Sequence, residues 1–162
     1  MAIDGWAIFA HPLLLDQLEK LVAAVEKVRR SDPDGFANHA NTKLLAMLRR
    51  LIFETVPADP TRPEYRQGDT LGQDRKHWFR AKFGNGRFRL FFRFDSRTRV
   101  IIFAWVNDES TLRTCGAKTD AYAVFRKMLA SGNPPDDWAD LLREASAGPT
   151  LARLEEAKPG PR

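Results

Sequence analysis

The stretch WFRAKFGNGRFRLFFRF, residues 78–94, has the pattern of two strands joined by a tight turn. Trp78 to Phe83 alternates apolar with basic, Arg87 to Phe94 largely does the same, and Gly84-Asn85-Gly86 between them reads as a hairpin turn. Side chains on a strand point to opposite faces with period two, so Phe88, Leu90, Phe92 and Phe94 share one face and Arg87, Arg89, Phe91 and Arg93 the other. Burying several arginines without partners is prohibitive, so the Phe/Leu face must be the core. In the first run Phe79, Ala81 and Phe83 oppose Trp78, Arg80 and Lys82. If like faces pair, Arg80, Lys82, Arg87, Arg89 and Arg93 converge on one open surface, with Trp78 and Phe91 set among the cations.

After this hairpin, Asp95-Ser96-Arg97-Thr98 is a tight polar turn into a third strand, Arg99 to Val106. This gives a three-stranded meander, open to a further strand from the lead-in or from the long loop. Upstream, Leu14, Leu18, Leu21, Val25 and Val28 recur at helical spacing from Pro12, and Ser31 to Gly35 ends that helix. A second helix is expected from Phe36 to Thr55 with Ala40, Leu44, Met47, Leu48 and Leu51 inward, completing a helical hairpin. Pro57, Pro60 and Pro63 begin a non-helical stretch that runs past Gly68 and Gly72, either a functional loop or a connector. Downstream, Thr119 is an apt N-cap for a helix carrying Tyr122, Val124, Phe125, Met128 and Leu129, and Asp136 or Asp137 starts a short last helix with Trp138, Leu141 and Leu142. The expected class is α+β, a helical hairpin packed on a small antiparallel sheet with C-terminal helices. The expected domain is residues 1–147, with 148–162 a frayed tail rich in Gly and Pro.

Composition narrows the function classes. The 162 residues carry a net charge of +5, and between Arg75 and Arg99 there are nine Lys/Arg residues against one acid, Asp95. A solubility face normally mixes signs, so this concentration points to an anionic partner such as a phosphate backbone, with aromatics available to stack bases. A plain solvated face is the other reading of the same residues. No apolar run is long enough to span a membrane, residues 1–10 do not read as a secretory signal, and the single Cys115 excludes an intrachain disulfide, so the expected address is the cytoplasm. His11, His39 and His77 lack metal-ligand spacing, Asp108-Glu109 falls short of a metal cage, and no phosphate-binding or cofactor fingerprint occurs, so no cofactor is expected. RNA cleavage by its own 2′-OH needs only a base, an acid and cations for the developing phosphorane charge.

Several blocks carry a family resemblance: Trp6-Ala7 with Ala10-His11-Pro12, Thr42 to Ala46, Lys82-Phe83-Gly84, Gly86 to Arg93, Asn107 to Thr114, and Lys118 to Tyr122 with Val124-Phe125 and Lys127 to Leu129. These resemble the YhaV toxins of the RelE-like group over roughly residues 5–143. The resemblance implies a toxin of a toxin–antitoxin pair, an endoribonuclease that arrests growth by cutting mRNA, free or on the ribosome. It also implies a PrlF-like antitoxin with an AbrB-type DNA-binding part, and a complex that binds its own promoter DNA.

RelE-like sites place basic residues on the first hairpin strand, matched by Arg80 and Lys82, and an arginine in a Gly-aromatic-Arg-Leu pattern on the next, matched by Arg89 within Phe88-Arg89-Leu90. A cation after the third strand and a tyrosine near the C-terminus have Arg113 and Tyr122 as their nearest counterparts. The implied roles are phosphate stabilisation for Arg80 and Arg89, general base for Lys82 or Glu109, and general acid for Tyr122. Arg87, Arg93, Phe91 and Trp78 would bind RNA. Tyr122 shares a helix face with Phe125 and Leu129, so packing explains it equally well, and Asp108 or Glu109 could simply pair with Arg113. A non-catalytic module that binds nucleic acid or docks an antitoxin would use the same basic sheet.

Overall fold

The computed structural model describes residues 1–108 and 120–160. Strands β1 (Ala2–Ile3), β2 (Trp6–Ala10), β3 (Phe79–Phe83), β4 (Phe88–Asp95) and β5 (Val100–Val106) form one sheet in the order β1-β2-β5-β4-β3. The hairpin pairs Phe79 with Phe92 and Phe83 with Phe88, so like faces do align. Gly84, Asn85 and Gly86 all take positive φ, the backbone that the turn needs. A Cβ on Gly84 would lie 2.7 Å from the Phe88 ring, a second reason for glycine there.

The lead-in supplies the further strand. β2 pairs in parallel with β5, from Ala7 opposite Val100 to Ala10 opposite Phe103, and its buried Trp6, Ile8 and Ala10 alternate with half-buried neighbours. A parallel partner needs a crossover, and the helical hairpin provides its start. Helix α1 (Pro12–Ser31) opens directly after β2, with the His11 ring capping the Leu13 N–H at 3.2 Å. Phe36–Asn38 is a short 3₁₀ turn, and α2 (Ala40–Arg50) follows, later than the sequence expectation. A wider π turn over Leu51–Thr55 leads into α3 (Val56–Ala58), where Pro57 lacks the N–H of a continuing helix.

One face of the sheet packs Leu90, Phe92, Ile101 and Phe103 against Leu14, Leu18, Leu48 and Ile52 of the helical hairpin, as the Phe/Leu periodicity requires. The other face departs from expectation: it is not open. Helices α4 (Ala121–Ser131) and α5 (Trp138–Ala145) lie over it, and their Phe125, Leu129 and Leu141 bury Trp78, Phe91, Ile102 and Trp105 in a second core. A bulge helps. Phe91 faces Trp105 but Phe92 faces Phe103, so Ala104 is extra and Ala104 and Trp105 both join the second core.

Two further differences are local. The N-cap of α4 is Asp120, whose carboxylate accepts from the Tyr122 N–H at 3.1 Å; Thr119 lies outside the described residues. Residues expected to fray form α6 (Gly148–Ala157), which packs on α1 and β2 with Leu154 and Ala157 in the first core. Gly148 and Pro149 read as breakers, but proline is tolerated in the first turn of a helix, which is where Pro149 stands. Arg153 then pairs with Asp16 at 2.6 Å and with Glu19 of α1.

Candidate active site

The basic residues fall into separate environments once α4 covers the sheet. On β3, Lys82 is exposed and lies directly opposite Arg89 of β4, while Arg80 is half-buried opposite Phe91. Tyr122 enters from the first turn of α4, fixed there by the Asp120 cap. Its hydroxyl oxygen accepts from Arg80 Nε at 2.8 Å and from Arg89 Nε at 3.2 Å. The Arg89 guanidinium also sits 5.7 Å from the Tyr122 ring centre, and Phe91 meets that ring edge-on at 5.6 Å. Two cations from adjacent strands therefore converge on one phenol.

Each guanidinium is held from behind. Arg80 Nη1 donates to the Glu64 carbonyl at 2.6 Å, and Arg89 Nη1 to the Gly86 carbonyl. Buried Asn107 accepts from the Arg89 backbone N–H at 2.5 Å and donates to the Arg87 carbonyl at 3.1 Å, pinning the end of the hairpin to the end of β5. Asn107 and Asp120 were absent from the sequence-predicted set, although both lie in the blocks that carried the resemblance. Short polar residues at strand and helix ends were the available signal.

The expected RNA-binding residues do not join this group. Trp78 and Phe91 are fully buried, Trp78 meeting Phe125 edge-on at 5.0 Å and Phe91 stacking on it at 4.3 Å, so neither can stack a base. Period two assigns them to the correct face but does not say that α4 covers it. Arg93 is half-buried and serves that covering: it donates to the Asp136 carbonyl at 2.5 Å and lies over the Trp78 and Trp138 rings at 5.6 and 5.1 Å. Burial lowers its pKa. Asp136 in turn accepts from Trp78 Nε1 at 2.7 Å and contacts the His77 ring at 2.9 Å. Burial alone would raise that carboxyl, but these two hydrogen bonds together hold it below its ordinary value.

Arg87 stands in the turn before β4 begins, its guanidinium 5.8 Å from the Phe88 ring centre. It lines a different cavity of about 810 Å³ between the helical hairpin and the strand hairpin, floored by Leu21, Leu44, Met47 and Phe88. That cavity is the roomier one, yet Arg80, Arg89 and Tyr122 do not line it. A smaller cavity of about 490 Å³ does include Arg80 and Lys82. Glu109, Arg113 and Cys115 lie outside the described residues. Among the described residues no three His, Cys, Asp or Glu side chains gather as a metal site, and no helix is long and apolar enough to cross a membrane.

Chemically, the half-buried Arg80 and exposed Lys82 form a cationic rim, with Arg89 and Tyr122, both buried, behind it. A hydroxyl accepting from two guanidinium donors has its remaining capacity as a donor. The set suits an anionic, tetrahedral or trigonal-bipyramidal group that needs charge neutralised and a proton delivered.

No solved structure matches this chain. Among curated proteins it is 49% identical over 143 residues to the ribonuclease toxin YhaV of Escherichia coli K12, covering 88% of this chain and 93% of that one. Toxin YhaV of Escherichia coli O157:H7 is equally similar, and that of Escherichia coli O6:H1 strain CFT073 is 48% identical over the same shares. Residues 8–146 match the family described as toxins with endonuclease activity of toxin–antitoxin systems. The chain therefore belongs to the YhaV toxin family.

Proposed function

We propose that this toxin is a cytoplasmic, metal-independent endoribonuclease that cuts mRNA at the Arg80–Arg89–Tyr122 group and so arrests growth. The observation that carries the reading is the convergence of two guanidinium groups on the Tyr122 hydroxyl, at 2.8 and 3.2 Å. The RNA 2′-oxygen attacks the adjacent phosphorus and gives its proton to a base. The P–O5′ bond breaks, the leaving 5′-oxygen takes a proton from Tyr122, and the products are a 2′,3′-cyclic phosphate and a 5′-OH. Arg80 and Arg89 offset the extra negative charge of the phosphorane.

Lys82, exposed and opposite Arg89, takes that proton only in its uncharged amine form and otherwise adds a cation to the phosphate. Glu109 is its competitor for that role, and Arg113 a further cation for the phosphate. Arg87, at the hairpin tip, is an outlying RNA contact. The partner that neutralises the toxin is a PrlF-like antitoxin with an AbrB-type DNA-binding part, and the complex binds its own promoter. The mRNA is cut free or on the translating ribosome.

Expression of Tyr122→Phe and Arg89→Ala in growing cells tests the assignment. Tyr122→Phe keeps the ring packing and removes only the hydroxyl, and loss of a general acid typically costs about 10²–10⁴-fold in rate. Both variants are expected to fold and to permit growth. Full growth arrest by both would place the chemistry elsewhere.

A further inference from the structure

The long proline-bearing loop is not used by the chemistry above, yet it builds one wall of the cavity of about 490 Å³ beside Arg80. Arg62, Arg66, Arg80 and Lys82 line that cavity with a single acid, Glu64. Glu64 meets Arg62 only at 3.9 Å, and both side chains are well exposed, so this contact neutralises little. Arg66 and Lys82 are exposed, and neither has a carboxylate partner among the described residues. Like charges brought this close repel unless something anionic sits between them.

The loop is not a slack connector. Pro63–Tyr65 forms a 3₁₀ turn, Tyr65 is buried edge-on against Phe92 at 5.4 Å, and Arg66 makes an antiparallel bridge to Phe79 at the free edge of β3. Its Glu64 carbonyl also accepts from Arg80 Nη1 at 2.6 Å. Arg62 and Arg66 are thus presented on a braced segment tied to a residue of the candidate active site. Preorganised cations bind with less ordering cost than mobile ones.

We propose that this groove is the track for the single-stranded RNA next to the scissile phosphate, with Arg62 and Arg66 on neighbouring phosphodiesters. The inference rests on the reading that the Arg80–Arg89–Tyr122 group cuts RNA. Continuity favours RNA over an acidic protein segment, because Arg80 belongs both to the groove and to the group around Tyr122. Thr55, Leu51 and Ala81 complete the wall and leave room for sugar and base.

The test is binding of a 12-nucleotide 2′-O-methyl RNA, which lacks the attacking hydroxyl, to the full chain by fluorescence anisotropy across a salt series. The Arg62→Ala/Arg66→Ala double variant is expected to bind at least about tenfold more weakly, since charge-assisted hydrogen bonds are lost. Its slope of log K against log salt should be shallower by about 1.4, roughly 0.7 for each single-strand phosphate. Arg66→Lys should recover part of the affinity, which separates charge from a fold defect. Unchanged affinity and slope in the double variant would overturn the proposal. So would normal RNA binding combined with lost neutralisation by the cognate antitoxin, which would make the groove a protein dock. Inactive Arg89→Ala alongside either result would leave the catalytic reading standing, whereas active Tyr122→Phe and Arg89→Ala would remove that reading itself.

Discussion

At the residue scale, the four basic side chains of β3 and β4 have one sequence signature and three environments. Lys82 is exposed, Arg80 and Arg89 are gathered on Tyr122, and Arg93 is a clamp under α5. Period two was enough to put them on one face. It could not tell a ligand-facing arginine from a packed one, because that depends on which helix lands above. Arg93→Ala should therefore lower stability by about 1–3 kcal/mol in urea unfolding, by leaving the Asp136 carbonyl without its donor and a void beneath Trp138. RNA affinity of this variant at a temperature where it is folded should match the wild type. A tenfold loss of affinity without a change in unfolding midpoint would return Arg93 to the RNA surface.

At the element scale, the hairpin, the third strand and the first helix were legible because their periodicities are local. The parallel pairing of β2 was not, since a short lead-in strand has no turn signal linking it to β5. The junction between β2 and α1 has a pH signature. Buried His11 accepts the Leu13 N–H at Nδ1, so its proton is on Nε2, facing Glu144 at 3.1 Å. Burial lowers its pKa against the opposing pull of Glu144. The unfolded chain, with an ordinary histidine near 6.5, then takes up the proton first as pH falls. The stability linked to this group is complete above about pH 6.5 and is lost below it. His11→Asn retains a capping acceptor without titrating. Thermal melts from about pH 7.5 to about pH 5.5 should show a steeper loss of Tm in the wild type than in this variant. Parallel curves would contradict the assignment.

At the scale of the whole molecule, the sheet carries a core on each face, and the C-terminal segment closes the first of them. Leu154 is packed there and Arg153 anchors α6 to Asp16 and Glu19. Leu154→Ala should cost about 2–5 kcal/mol with an unchanged denaturant slope. A cost below about 0.5 kcal/mol would fit a frayed tail instead. The sequence underestimated this segment because its Gly and Pro signals belong equally to a helix start and to a disordered end. Covering both faces also explains why a basic sheet yields one small site: of the four basic residues on β3 and β4, Lys82 on the edge strand is exposed, Arg80 and Arg93 are half-buried and Arg89 is buried.

The role of the Tyr122 hydroxyl is tested by mapping RNA ends in cells expressing the wild type and Tyr122→Phe at equal levels. The expected result is mRNA fragments ending in 2′,3′-cyclic phosphate, formed by the wild type and reduced at least about 10²-fold by loss of the hydroxyl. Fragments ending in 3′-OH, or undiminished cleavage by Tyr122→Phe, would contradict it.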